Sequence, residues 1–115
     1  MYKPENHVST FFIAGFQHHD GAKVLSKLKP GKKLTLEAQP DNPYDPYAVA
    51  IKRKNVMLGF VPAQKNGLPS VLLNNGHDNV LECRILQVDK HAAPWEQVRV
   101  GLYITDATKI EAKAS

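Results

Sequence analysis

The chain has 115 residues, of which 43% are hydrophobic and 23% charged, a composition typical of one globular domain with its own core. Its longest apolar runs are far shorter than the roughly 20 residues of a membrane helix, and its single cysteine excludes an internal disulfide. The formal net charge of +4 is compatible with a polyanionic partner but does not require one. With no signal-like segment at the start, we expect a cytosolic protein that does not attach to membranes.

The first third of the chain predicts two strands separated by a short helix. Residues 8–16 are rich in β-branched and aromatic side chains, which favours a strand. After a histidine-rich turn, residues 22–28 could form two helical turns. A Lys-Pro-Gly-Lys turn then leads to residues 33–39, whose alternation of apolar and polar side chains predicts a second strand.

The middle of the chain predicts a hairpin followed by a helix. Residues 48–53 and 57–61 alternate on either side of a tight turn, and Pro62 ends the second arm because it cannot donate to the ladder. The helix is predicted to begin after Asn66 as its N-cap and to end at an Asn-Gly stop. The residues expected to form its buried face are Val71, Leu72 and Leu73.

Two further strands, at residues 80–88 and 97–105, complete the prediction. Short strands with few helices between them predict a mainly β fold, a small six-stranded OB-like or SH3-like barrel with one or two short helices. Glycines inside the strand patterns suit sharp barrel bends, at Gly15, Gly59 and Gly101. We expect one domain at residues 8–105, an N-terminal extension at 1–7, and a disordered C-terminal tail at 106–115.

The chain contains cysteine, histidine and carboxylate side chains of the kinds that catalyse reactions, but their spacing and sequence context do not match known catalytic motifs. No glycine-rich phosphate loop is present, and Cys83 lies in an alternating strand, which indicates a core residue rather than a nucleophile. The histidines lack zinc-site spacing, at positions 7, 18, 19, 77 and 91. No pair of carboxylates lies in an apolar setting. We therefore predict a protein that is not an enzyme, with no catalytic residue, no metal site and no cofactor.

The segment DNPYDPYAVAI, at residues 41–51, is the most informative part of the chain. Its Asn-Pro and Asp-Pro steps predict a stiff corner, and a corner alone accounts for four of these residues. It accounts poorly for Tyr44, which could cover one end of the barrel or offer its ring to a base. Asp45 could accept a hydrogen bond from a sugar hydroxyl, although it would repel an internal phosphate. The residues thus leave two interpretations open, a structural corner and a pocket for a nucleic-acid end.

The chain resembles the HIRAN domain family, modules found alone in bacteria and at the N-termini of helicase-like DNA translocases. The resemblance covers residues 8–104 and rests on FIAGFQHH at 12–19, GKKLTLE at 31–37, DNPYDPYAVAI at 41–51, LGFVP at 58–62 and residues 72–76. It implies an OB-like barrel. It also implies binding of the 3′-hydroxyl end of single-stranded DNA, as in eukaryotic members.

Carried over by position, the resemblance implies that Phe12 and Tyr44 flank the terminal base and that Asp45, with Asn42, binds the 3′-hydroxyl. Trp95 would stack on the next base. The full set of predicted DNA-binding residues is Phe12, Asn42, Tyr44, Asp45, Phe60, Lys65 and Trp95. Structural alternatives remain open, since Phe12 could be a core residue, Trp95 could cap the barrel, and Asp45 could serve the turn alone.

The chain also departs from the family pattern. Phe12 replaces a tyrosine, Tyr47 a small polar residue, and Phe11 and Ala63 stand where DNA-binding members can carry cations, although Lys65 could replace the latter. Our first hypothesis is a DNA-binding module for single-stranded 3′ ends, linked to repair or stalled forks and to a separately encoded helicase or nuclease. The alternative is a protein-interaction or scaffold domain that keeps the fold without binding DNA.

Overall fold

The computed structural model describes residues 6–105, so the predicted C-terminal tail and most of the predicted N-terminal extension lie outside the described residues. The strands are β1 (His7–Phe12), β2 (Lys33–Ala38), β3 (Val49–Arg53), β4 (Val56–Phe60), β5 (Leu81–Val88) and β6 (Val98–Ile104). The helices are α1 (Gly21–Val24) and α2 (Gly67–Asn74). Single 3₁₀ turns connect them at Phe16–His18, Leu25–Lys27, Ala63–Lys65, Asp78–Val80 and Pro94–Glu96.

All strand pairs are antiparallel, and the strands form one sheet in the order β1-β6-β5-β2-β3-β4. The sheet curls around a single core so that its outer strands, β1 and β4, approach each other. The core side chains come from every strand and from the connection after β1, and the largest fully buried ones are Phe16, Ile13, Ile51, Leu58, Ile85 and Leu102. The prediction of a mainly β, OB-like fold with six strands and two short helices is confirmed, and the sheet has the form of a curled half-barrel.

The sheet closes at one point, where Ala14 bridges Phe60. The Ala14 N–H donates to the Phe60 carbonyl at 2.9 Å, and the Phe60 N–H donates to the Ala14 carbonyl at 2.8 Å. The neighbouring Gly59 has φ +155°, and a Cβ added there would lie 2.4 Å from the Ala14 oxygen. Since only glycine allows so close an approach, the predicted role of Gly59 in shaping the barrel is confirmed.

Strand β1 is shorter than the strand predicted at residues 8–16. β1 ends at Phe12, and Gly15 adopts a left-handed φ of +72° before the Phe16–His18 turn. The helix predicted at residues 22–28 is also only partly correct, because α1 ends at Val24 and a 3₁₀ turn follows. The ends of the other strands all lie within about one residue of the predicted ends, because period-two alternation and turn residues mark them locally.

Helix α2 follows Asn66 and ends at Asn74, as predicted, but its buried face matches the prediction only in part. Leu73 packs against the core, whereas Val71 is 53% exposed and the buried residues are Pro69 and Ser70. The helix ends in the expected manner, since Gly76 has φ +80° and the N–H of His77 donates to the Leu72 carbonyl at 2.8 Å.

Cys83 is fully buried in β5, which confirms that it is a core residue. Burial, and to a lesser degree the charge of Glu82, raises the pKa of the thiol to about 12. Within residues 6–105, no cluster of three or more His, Cys, Asp or Glu side chains could hold a metal ion. In the same part of the chain, no helix has the length and apolar character needed to cross a membrane.

Candidate nucleic-acid interface

The corner between β2 and β3 is built by the side chain of Asn42. Its Oδ1 accepts hydrogen bonds from the backbone N–H groups of Tyr44 at 2.9 Å and Asp45 at 3.1 Å. Its Nδ2 donates to Oε1 of Gln39 at 3.1 Å, and its own N–H donates to the Gln39 carbonyl at 3.0 Å. Asn42 is therefore the residue that fixes the backbone of the corner, an Asx turn reinforced from both sides.

The ring of Tyr44 projects from this corner into solvent. The residue is 95% exposed, so it neither covers the barrel end nor contributes to the core. Two prolines restrict the backbone on either side of it, at positions 43 and 46. An exposed aromatic ring on a restricted backbone can stack on a flat ligand without rearrangement of the loop that carries it.

The carboxylate of Asp45 is held in one orientation by two hydrogen bonds. Its Oδ1 accepts from the backbone N–H of Tyr47 at 2.8 Å, and its Oδ2 accepts from Nδ2 of Asn66 at 2.8 Å. A carboxylate has about four acceptor positions, so further acceptor capacity remains on this half-buried side chain. Asp45 thus serves the turn and can also accept a hydrogen bond from a ligand hydroxyl.

Asn66 is the site residue that sequence reasoning missed. It occupies the predicted N-cap position of α2, but its side chain makes no capping hydrogen bond and reaches across to Asp45 instead. Only 4% of the residue is exposed, so this amide is a fixed support for the carboxylate. No local signal could have revealed the contact, because it joins positions 21 residues apart.

Lys65 links this corner to the first strand. Its Nζ donates to the backbone carbonyl of Thr10 in β1 at 2.7 Å, and the side chain is exposed. An ammonium group has three donors, so two remain for other acceptors. Lys65, next to Asn66 in the chain, therefore places a positive charge at β1, whereas Ala63 supplies none.

Three aromatic side chains of the predicted site lie near the Ala14–Phe60 bridge or near the Phe16–His18 turn that follows it. Phe12 is 39% exposed, whereas its neighbour Phe11 is 6% exposed and faces the core. The half-buried ring of Phe60 meets the ring of His19 edge-on, with 5.7 Å between centroids. Trp95 is 56% exposed on the turn before β6, which packs beside the Phe16–His18 turn. The structure thus places Phe12 and Trp95 at the surface, which rules out a core role for Phe12.

These contacts connect the predicted residues other than Trp95 through one continuous part of the molecule. The corner that carries Tyr44 and Asp45 is bonded to Asn66, and the preceding Lys65 is bonded to β1 two residues before Phe12. Phe60 in β4 forms an antiparallel bridge with Ala14, which lies two residues after Phe12. The arrangement presents exposed rings, one fixed acid and one cation, which are the groups that can bind the base, the sugar hydroxyl and the phosphate of a nucleotide.

Comparison with solved structures identifies the same fold. A crystal structure of a Lactobacillus plantarum protein aligns with a TM-score of 0.72 at 19% identity, covering 85% of this chain and 92% of that one. The HIRAN domain of human HLTF aligns with a TM-score of 0.61 at 13% identity, covering 96% of this chain and 88% of that one. At these identities the likeness concerns the fold alone.

No curated protein matches this chain at a significant level. The model of the HIRAN domain family, in contrast, matches residues 7–105, almost the entire part of the chain that the structure describes. This match supports a DNA-binding module as the general functional class, and it shows that the chain belongs to the HIRAN domain family.

Proposed function

We propose that this HIRAN domain binds the 3′-hydroxyl end of single-stranded DNA without catalysing a reaction. The observation that supports the proposal most directly is the corner itself. An almost fully exposed Tyr44 stands beside an Asp45 whose carboxylate is fixed by Asn66 and by the N–H of Tyr47. The ring would stack on the terminal base, and the carboxylate would accept a hydrogen bond from the 3′-hydroxyl.

A fixed carboxylate favours a chain end because an internal nucleotide brings a phosphate to the position of the 3′-hydroxyl. Two like unit charges 4 Å apart repel by about 4 kcal/mol at an effective dielectric constant of 20. Asp45 cannot easily turn away, since doing so would break both of its hydrogen bonds. Phe12 would flank the terminal base together with Tyr44, and Lys65 and the exposed ring of Trp95 would bind the nucleotides that precede the end.

Fluorescence anisotropy with short oligonucleotides tests the proposal. We expect an oligonucleotide with a 3′-hydroxyl to bind at least about tenfold more tightly than one with a 3′-phosphate, since tenfold corresponds to only about 1.4 kcal/mol of the repulsion. Asp45→Asn should reduce this ratio, because it removes the charge that repels the phosphate. Equal affinity of the wild-type domain for both oligonucleotides would contradict end recognition.

Matched variants separate the proposed contacts from general effects on the loop. Tyr44→Ala should weaken binding by about 1–3 kcal/mol if the ring stacks on a base, whereas Asp41→Asn changes the charge of the same loop at an exposed position and should preserve the ratio between the two 3′ ends. Thermal denaturation of each variant verifies that the fold is intact. Wild-type affinity in a folded Tyr44→Ala variant would remove the stacking role.

A second candidate function, a protein-interaction domain, is favoured by a different surface. Leu68 and Val71 are 51% and 53% exposed, and their spacing places them on one face of α2. Complete absence of binding to single-stranded DNA at low salt would favour this function over the first. A role in repair or at stalled forks, a separately encoded helicase or nuclease as partner, and a cytosolic location are parts of the proposal for the DNA-binding module.

A further inference from the structure

Arg99 lies on the outer face of the sheet, directly opposite Phe12 in the pairing of β1 with β6. Directly opposed residues in an antiparallel pair project from the same face, with Cβ atoms about 4.5–5.5 Å apart. The adjacent pair, Phe11 and Val100, is buried on the inner face, while Phe12 and Arg99 are both exposed. An exposed aromatic ring and a guanidinium therefore stand side by side on this surface.

No acidic side chain in residues 6–105 forms an ion pair with Arg99. The ion pairs in this part of the chain involve Lys23, Lys33, Lys52 and Arg84. On the other side of β6, Arg99 is opposed by the neutral Gln87. The acid Glu82 on β5 is opposed by Tyr103, four residues further along β6, and is paired with two cations. The charge of Arg99 is thus available to a ligand.

We propose that Arg99 binds the DNA backbone phosphate adjacent to the base that stacks on Phe12, so that the strand leaves the 3′-end pocket across β6. This inference rests on the proposed DNA-binding function. The ring of Phe12 would stack on the base of a nucleotide, and the guanidinium of Arg99 on the neighbouring strand would bind the phosphate of the same nucleotide. The planar fork of arginine can bind two phosphate oxygens at once, and its weaker hydration makes desolvation cheaper than for lysine.

The salt dependence of binding tests this contact. For single strands, the logarithm of the binding constant falls with the logarithm of salt concentration with a slope of about −0.7 per neutralised phosphate. Arg99→Gln should therefore make the slope shallower by about 0.7 and weaken binding several-fold at low salt. Arg99→Lys keeps the charge and should retain most of the slope, which a merely structural effect of the substitution would not reproduce.

Arg53→Gln is the matched control, because Arg53 lies at the far end of β3, next to the hairpin turn and away from the Ala14–Phe60 closure. It removes the same charge and should leave the slope unchanged. Similar slopes for Arg99→Gln and wild type, or equal losses in Arg99→Gln and Arg53→Gln, would overturn the inference.

A comparison of a 3′-hydroxyl oligonucleotide with circular single-stranded DNA separates the two proposals. If the wild-type domain binds both equally and Arg99→Gln still reduces the slope, end recognition fails and the phosphate contact stands. If the domain prefers the free end and Arg99→Gln has the wild-type slope, only the phosphate contact fails. If the wild-type domain binds neither DNA at low salt, both proposals fail.

Discussion

Replacement of Gly59 by alanine should open the curled sheet where its outer strands meet. A Cβ at this position would lie 2.4 Å from the Ala14 oxygen and 2.6 Å from Cγ2 of Ile13, and the backbone has φ +155°. A side chain in such a conformation costs about 1–3 kcal/mol. Relief of the overlap would stretch the two hydrogen bonds between Ala14 and Phe60, worth about 1 kcal/mol each. We therefore expect Gly59→Ala to lower the free energy of unfolding by about 3–5 kcal/mol.

Thermal denaturation followed by circular dichroism measures this loss. Since 1 kcal/mol shifts the midpoint by about 4–8 °C in a domain of this approximate size, the variant should melt at least about 12 °C below the wild type. Gly67→Ala is the control, because no atom lies within 4 Å of a Cβ at Gly67 in the first turn of α2. That variant should be as stable as the wild type or slightly more so. A Gly59→Ala variant that melts within about 2 °C of the wild type would refute the role assigned to the closure.

Two further predictions concern Asn66 and Cys83. Asn66→Ala removes the donor that fixes Asp45 and should reduce the preference for a 3′-hydroxyl over a 3′-phosphate in anisotropy assays, whereas the exposed Asn74→Ala should preserve it. The pKa of about 12 for Cys83 keeps its thiol protonated in the folded state, so a thiol reagent at pH 8 should label the native protein far more slowly than the unfolded one. The unfolded thiol loses its proton near pH 9, so this group stabilises the fold below that pH and ceases to do so as the pH rises towards 12. The decline in stability over that interval should accordingly be smaller in Cys83→Ala than in the wild type.

The parts of the fold that the sequence predicts are those with local causes. Alternating side chains and turn residues place β2 to β6, and the Asn75-Gly76 step ends α2 where expected because Gly76 readily takes a positive φ. The first strand shows the limit of such reasoning. Residues 13 and 14 have strand-like character, but the left-handed Gly15 turns the chain away and leaves Ala14 to bridge β4.

The parts that the sequence could not supply depend on contacts between distant residues. The order of strands places β5 between β6 and β2, which no local pattern specifies. Lys65 reaches Thr10 across 55 positions, and Asn66 reaches Asp45 across 21. A prediction from residue type assigned Asn66 to helix capping, and the tertiary contact assigns it to the candidate site.

The candidate site is held together by polar contacts of its own backbone and side chains, and the apolar core does not form it. Both polar atoms of the Asn42 amide form hydrogen bonds within the corner, and the buried Asn66 amide donates to one oxygen of the Asp45 carboxylate. A tight loop could connect β2 and β3 without a buried amide and without an exposed ring. The fold alone therefore does not explain why two asparagine side chains are used to shape and support this corner. An acid whose position is fixed against rotation is useful where discrimination depends on repulsion, because a mobile carboxylate would move away from a phosphate at little cost. The rigidity of Asp45 is therefore the feature that most supports the proposed recognition of a terminus over general affinity for single strands.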